Sequence, residues 1–93
     1  MAQLLTKAEI QEQAKIVSGW TVEDSKLQIT RKFKDFIQAI EFVNKLVEPA
    51  ESAGHHPDIE ISYNKVKITL TTHDAGGLTQ ADFDLAQVIA KIN

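Results

Sequence analysis

The sequence predicts an α+β domain in which a four-stranded antiparallel sheet carries three helices packed on one face, in the order αββαββα. Two observations support this prediction. Apolar and polar residues alternate in four short runs that group into two hairpins, and apolar residues recur at helical spacing in the segments that flank these hairpins. A chain of 93 residues has room for one domain, spanning residues 1–93.

Local signals define the first three elements. Thr6 and Glu9 form a capping box, which predicts a short helix from about residue 7 to residue 17. Apolar and polar residues then alternate over 20–23 and again over 27–33, with turn residues between the two runs. These two strands are expected to pair as a hairpin.

A long apolar stripe predicts the central helix. Asp35 is a suitable N-cap, and the apolar residues that follow recur every three or four positions as far as Ala53. Pro49 has no N–H to donate and its ring crowds the preceding turn, so the helix should bend or stop near that position. This helix is expected to supply much of the core.

The second half repeats the hairpin and ends in a helix. Strands are predicted over 58–63 and 65–70, on either side of a tight turn. Thr79 and Asp82 form a second capping box, which opens a C-terminal helix that reaches Ile92. One sheet face is then left free for a ligand or a partner.

The composition excludes several classes of protein. The formal net charge is −3 and the Lys and Arg residues are scattered, so the chain has no basic stripe for the phosphates of a nucleic acid. Without cysteine it has neither disulfides nor a thiolate zinc site. No apolar run reaches the roughly 18 residues of a transmembrane helix, and no secretory leader is recognisable. We expect a cytoplasmic protein that binds neither membrane nor nucleic acid.

The small size of the domain favours self-association. A domain of this length buries only about 60 to 65% of its unfolded surface, which leaves its stability marginal. We therefore expect a homo-oligomer, either a dimer or a tetramer.

All three histidines lie within a short stretch, at positions 55, 56 and 73. If strand alternation continues past residue 70, His73 lies on the polar side of its strand and is accessible. Taken alone, a His-His-Pro sequence is typical of a solvated loop. A three-histidine zinc site is a further alternative, disfavoured because neighbouring side chains in extended backbone point apart.

Several residues recur at fixed spacings that match a known signature. Three residues separate Glu51 from the His55-His56-Pro57 sequence, five more precede Tyr63, nine precede His73 and eight precede Asp82. Together with the sequences at 63–66, 72–74 and 77–79, this pattern resembles that of the pterin-4a-carbinolamine dehydratases. The resemblance extends from about residue 4 to the end of the chain and includes the αββαββα order.

The resemblance implies removal of water from 4a-hydroxytetrahydrobiopterin, giving quinonoid dihydrobiopterin for tetrahydrobiopterin recycling after aromatic amino acid hydroxylation. One group must protonate the departing hydroxyl and another must accept the N5 proton, and imidazole can do either near neutral pH. Proton transfer alone is needed, so no cofactor and no metal is expected. The family also includes transcriptional coactivators and assembly factors, so a protein partner is the alternative function.

The resemblance also assigns site residues. His55 and His73 are the implied acid and base in an order left open, and His56 contacts the substrate and assists. Glu51 is the implied acceptor for the amino and N3–H groups of the pterin. The remaining residues that are implied to contact the substrate are Pro57, Thr72 and Asp74.

Three residues have structural interpretations, of which Asp82 and Tyr63 belong to the signature and Trp20 does not. Asp82 is explained by its capping box alone, and Trp20 is expected in the core. Tyr63 continues the face of Ile59 and Ile61, so it is predicted to lie in the core or at the pocket edge.

Overall fold

The computed structural model describes residues 3–92 and confirms the predicted α+β architecture. The helices and strands follow in chain order: α1 (Lys7–Ala14), β1 (Thr21–Glu23), β2 (Lys26–Lys32), α2 (Phe36–Lys45), α3 (Val47–Ala53), β3 (Asp58–Ser62), β4 (Lys65–Leu70), a 3₁₀ turn (His73–Ala75) and α4 (Gln80–Ala90). Within residues 3–92, no helix has both the length and the apolar character needed to cross a membrane.

The four strands form one antiparallel sheet in the order β1-β2-β4-β3. Each predicted hairpin is present, and β2 and β4 join them at the centre of the sheet. The first hairpin turns at Asp24 and Ser25, which both have left-handed φ angles of 47° and 64°. Two such residues suit the twist of a two-residue hairpin turn.

The core lies between one face of the sheet and the helices. Its fully buried apolar residues on β2, β4, α2 and α4 are Leu27, Val66, Ile68, Leu70, Ala39, Phe42, Phe83, Ala86 and Ile89. Ile29 on β2 is partly buried against them. Trp20 also belongs to this core, as predicted, with 7% of its surface exposed. Alternation along the strands therefore leaves the polar side chains on the opposite face.

The long central helix is interrupted where its proline requires it. α2 ends at Lys45 and α3 begins at Val47, so that Pro49 occupies the first turn of α3. There its missing N–H costs no helical hydrogen bond, and the following Ala50 N–H donates to the carbonyl of Leu46 at 3.2 Å. The predicted break near Pro49 is confirmed.

Three helix or strand ends differ from the sequence prediction, including that of α4, which ends at Ala90 and not at Ile92. α1 ends at Ala14, earlier than residue 17, because the chain turns there and buries Val17 in the core. Tyr63 does not continue the strand: it lies in the β3–β4 turn with a φ of 53°, and 65% of its surface is exposed. The pairing of Ser62 with Lys65 leaves Tyr63 and Asn64 as the two turn residues.

Arg31 on β2 links the sheet to the end of α4 through hydrogen bonds. Its guanidinium donates to the carbonyl oxygen of Ile92 at 2.7 Å and makes longer bonds to those of Ile89 and Ala90. It also lies 5.0 Å from the centre of the Phe42 ring. A cation at the carbonyls of the last helical turn stabilises the helix C-terminus.

Candidate active site

A polar cleft of about 250 Å³ opens at one end of the sheet. Its lining comes from the loop that follows α3 and from the loop that follows β4: Gly54, His55, His56, Thr71, Thr72, His73 and Asp74. The pairing of Asp58 with Thr69 places the start of β3 beside the end of β4, which brings these two loops together. All three histidines therefore meet at this cleft.

Gly54 directs the histidine pair out of α3. It ends the helix in the left-handed conformation with a φ of 61°. The N–H groups of Gly54 and His55 donate back to the carbonyls of Glu51 and Ala50 at 3.2 and 3.1 Å, which closes the helix end. Any other residue at position 54 would be strained by this backbone conformation, although its Cβ would meet no neighbour within 4 Å.

The loop after β4 orients His73 in a way that strand alternation does not predict. β4 ends at Leu70, and the N–H of Thr72 donates to the carbonyl of Gly77 at 3.0 Å across a narrow loop. His73 starts the 3₁₀ turn inside this loop. The side chains of His73 and Asp74 are exposed, and within residues 3–92 neither makes a hydrogen bond, so both are available to a molecule in the cleft.

His55 is held by a buried carboxylate. Its Nε2 lies 2.5 Å from Oδ1 of Asp82, with side chains 14% and 0% exposed. The second oxygen of Asp82 accepts hydrogen bonds from the Thr79 N–H at 2.9 Å and from the Thr72 hydroxyl at 2.8 Å. The predicted capping role of Asp82 is confirmed, and the same carboxylate also fixes the His55 ring.

His56 lies at the boundary between the polar cleft and a second, mostly apolar groove. Its Nε2 is 2.5 Å from Oε2 of Glu51, and both side chains are largely exposed. The groove has a volume of about 220 Å³ and is lined by Val43, Leu46, Val47, Ala50, Glu51, His56, Pro57 and Ile59. Glu51 and Pro57 therefore face this groove, and His56 borders both it and the cleft.

The histidine and carboxylate side chains within residues 3–92 do not form a metal-binding set. Throughout the part of the chain that the structure describes, no three His, Asp or Glu side chains converge as metal ligands. His55 and His56 instead each bond a different carboxylate.

Comparison with known proteins shows the family of the chain. A sequence profile described as pterin 4 alpha carbinolamine dehydratase matches residues 3–92. A protein of Nostoc punctiforme is 87% identical over 92 residues, covering 99% of both chains, and one of Acidobacterium capsulatum is 52% identical over 89 residues, covering 96% of both. Both are provisionally named pterin-4-alpha-carbinolamine dehydratases.

The chain belongs to the pterin-4a-carbinolamine dehydratase family. A crystal structure titled transcriptional coactivator/pterin dehydratase, from Brucella melitensis, superimposes with a TM-score of 0.87 and 34% identity over 91% of this chain and 93% of that one. A pterin dehydratase-like protein, identified as a RuBisCO assembly factor in the alpha-carboxysome, has a TM-score of 0.59 and 22% identity over 80% of this chain and 89% of that one. This second likeness concerns the fold alone.

Within this dehydratase family member, the predicted site residues divide between two adjacent surfaces. The cleft contains His55, His56, Thr72, His73 and Asp74, whereas Glu51 and Pro57 line the groove. Sequence reasoning missed the contact of Asp82 with His55, although the eight-residue spacing from His73 had singled Asp82 out. For Thr79, the sequence indicated only its role in the capping box.

Proposed function

We propose that this protein removes water from 4a-hydroxytetrahydrobiopterin and releases quinonoid dihydrobiopterin, in a tetrahydrobiopterin recycling step of the cytoplasm. One observation supports the proposal above all others: three imidazoles line a single polar cleft, and a buried carboxylate holds one of them. Family membership supports a pterin as the substrate class.

The chemistry needs only groups of the kind that line the cleft. The C4a–O bond breaks and its electron pair leaves with the hydroxyl, which takes a proton from an acid and departs as water. The N5–H proton passes to a base, and the N5 electrons form the C4a=N5 double bond. Each positioned acid or base contributes about 10²- to 10⁴-fold to such a rate.

His55 and His73 are the proposed acid and base. They come from different loops and line the same cleft, so a bicyclic substrate can lie between them. His56 borders both the cleft and the groove, which suits a residue that contacts the ring system and assists. A substrate lying over His56 would reach Glu51, whose carboxylate can accept hydrogen bonds from the pterin amino and N3–H groups.

The other three proposed substrate contacts are polar in one case and apolar or packing contacts in the other two. Asp74 has an exposed carboxylate without a hydrogen-bond partner within residues 3–92, so it can accept from polar hydrogens of the substrate. Pro57 offers apolar surface at the groove. Thr72 already uses its hydroxyl and its N–H within the protein, so we propose that it contacts the substrate by packing.

The test follows the disappearance of synthetic 4a-hydroxytetrahydropterin by absorbance, above the rate in buffer alone. The native protein, His55→Ala and His73→Ala are compared with Lys32→Met, an exposed site on β2 outside the cleft. We expect each histidine variant to lose about 10²-fold or more in kcat, while Lys32→Met keeps the native rate. Equal rates for all four proteins would exclude the dehydratase function.

An interaction role is the second candidate, and exposed apolar side chains on α2 and α3 favour it. Phe36, Ile37 and Val47 are 51%, 68% and 59% exposed, although α2 already buries another face against the sheet. Exposed apolar surface of this kind marks association sites. The proposed partner is a second copy of the chain, as the small domain size suggests.

Sedimentation velocity tests this association. Ile37→Glu is expected to dissociate the oligomer to monomers, because it places a charge in the interface. Val88→Glu on α4, where the side chain is 46% exposed, is the matched control and should leave the native mass unchanged. A monomeric native protein would exclude self-association through this face.

A further inference from the structure

The loop that carries His73 is closed at its base by a pair of backbone hydrogen bonds. In this loop, residues 71–78, the N–H of Thr72 donates to the carbonyl of Gly77 at 3.0 Å, and the N–H of Gly77 donates back at 3.3 Å. His73 and Asp74 lie beyond this closure, exposed at the cleft. The position of His73 in the cleft therefore depends on what holds the base of the loop.

Two segments that are distant in the sequence bond the base of this loop. Before the closure, the hydroxyl of Thr71 donates to the carbonyl of Ser25, in the β1–β2 turn, at 2.9 Å. After the closure, the carbonyl of Leu78 accepts from the N–H of Leu5 at 3.0 Å. We call Leu4 and Leu5 the N-terminal strap, because they tie the second leg of the loop to the start of the chain.

The side chain of Leu4 packs closely against the loop at Gly77. A Cβ at position 77 would lie 3.0 Å from Cδ2 of Leu4, which is inside the ordinary van der Waals separation of about 3.5–4 Å. Gly77 is buried, and its φ angle is not in the left-handed region, so its backbone conformation does not require glycine. The close approach of Leu4 is what favours glycine at this position.

The helix that follows the strap contributes little to the core. No residue of α1 is fully buried, and within it only Ile10 and Ala14 are partly buried against the core. Its capping box joins Thr6 and Glu9 by two hydrogen bonds, at 2.8 and 3.1 Å, and fixes the path of the chain directly after Leu5. The start of α1 therefore anchors the strap.

We propose that Leu4 and Leu5 are positioning residues, which hold the His73 loop in place from outside the cleft. The proposal rests on the proposed function, in which His73 is a catalytic residue, and it holds for either direction of proton transfer at His73. Without the strap, the loop keeps the bond of Thr71 to the β1–β2 turn but loses its second attachment. A displacement of about 1 Å at a reacting group can cost roughly 10²-fold in rate.

Hydrogen exchange followed by NMR tests the strap without any reaction. The N–H groups of Thr72 and Gly77 close the loop, so their exchange rates report its opening. We expect Leu4→Ala to raise both rates about tenfold and to leave that of Ile68, in the central strand β4, within about twofold. Ile16→Ala is the matched control, because Ile16 and Leu4 are 60% and 55% exposed, and it should change none of the three rates.

Steady-state kinetics tests whether the strap acts through His73. With synthetic 4a-hydroxytetrahydropterin, Leu4→Ala should lower kcat about tenfold, whereas the same change in a His73→Ala background should cost less than about twofold. Ile16→Ala should keep the native kcat. An equal loss in both backgrounds would be a general structural effect and would overturn the proposal.

Gly77→Ala tests the contact from the side of the loop. Its added methyl group should displace Leu4, and should therefore raise the exchange rate of Thr72 and lower kcat as Leu4→Ala does. Leu4→Ala combined with Gly77→Ala should lose no more than either single variant, because the smaller side chain leaves room for the methyl group.

Two further results would contradict the strap: native exchange rates for Thr72 and Gly77 in the Leu4→Ala protein, or additive losses of kcat in the combined variant. Failure of the proposed function is distinguishable from both. If the native protein has no dehydratase activity, the exchange rates still decide whether Leu4 holds the loop.

Discussion

The two proposed catalytic histidines should differ sharply in what they contribute to stability. His55→Ala removes a side chain that is 14% exposed and bonded to a carboxylate that is 0% exposed. His73→Ala removes an exposed side chain that has no hydrogen bond within residues 3–92. Both variants are expected to lose activity, but only His55→Ala should unfold more easily.

The expected loss of stability in His55→Ala follows from the hydrogen bonds of Asp82. A hydrogen bond to a charged group contributes about 1.5–3 kcal/mol, and its loss leaves Oδ1 buried without a donor. We expect His55→Ala to lower the free energy of unfolding by about 2–3 kcal/mol, and Tm by about 10–20 °C for a domain of this size. The value for His73→Ala should stay within about 0.5 kcal/mol of the native one.

Urea denaturation followed by tryptophan fluorescence measures both values, because Trp20 lies in the core. In an Asp82→Ala background the carboxylate is absent, so His55→Ala should cost much less than in the native protein. Equal free energies of unfolding for His55→Ala and His73→Ala would refute the claim that Asp82 holds His55.

Three further predictions concern other positions. Arg31→Met should lower the free energy of unfolding by about 2 kcal/mol in urea denaturation, because it removes the hydrogen bonds that hold the end of α4. Lys32→Met, on the neighbouring exposed site, is the control and should change this free energy by less than about 0.5 kcal/mol. Tyr63→Asn should raise Tm, because Asn tolerates a φ of 53° that costs a bulky residue about 1 kcal/mol; an unchanged or lower Tm would contradict this. Glu51→Gln should raise KM for the pterin about tenfold at unchanged kcat, and a loss confined to kcat would argue against a binding role.

The sequence predicted the elements because their signals are local. The capping residue and the alternating or helical apolar pattern lie within each segment, so four strands and the helices could be placed, with the break at Pro49 included. Its prediction for Tyr63 was wrong because alternation does not indicate where a strand ends. That end was decided by the pairing of Ser62 with Lys65, which turns the chain at Tyr63.

The sequence also singled out the proposed site residues, through spacings that match a family signature. Those spacings do not indicate which way a side chain points. Glu51 and His56 are close in the chain, and their contact was within reach of sequence reasoning. That Glu51 faces an apolar groove beside the histidine cleft depends on how residues of α2, α3 and β3 come together around this groove.

By itself, the sequence therefore determined the fold class, the family pattern and the histidines that we propose as catalytic residues. The tertiary structure alone decided how these histidines differ. Asp82 follows His55 by 27 residues, and the two meet because the β3–β4 pairing and the start of α4 converge at one end of the sheet. A capping signal identifies a carboxylate at a helix start, but only packing determines whether its second oxygen faces water or an imidazole.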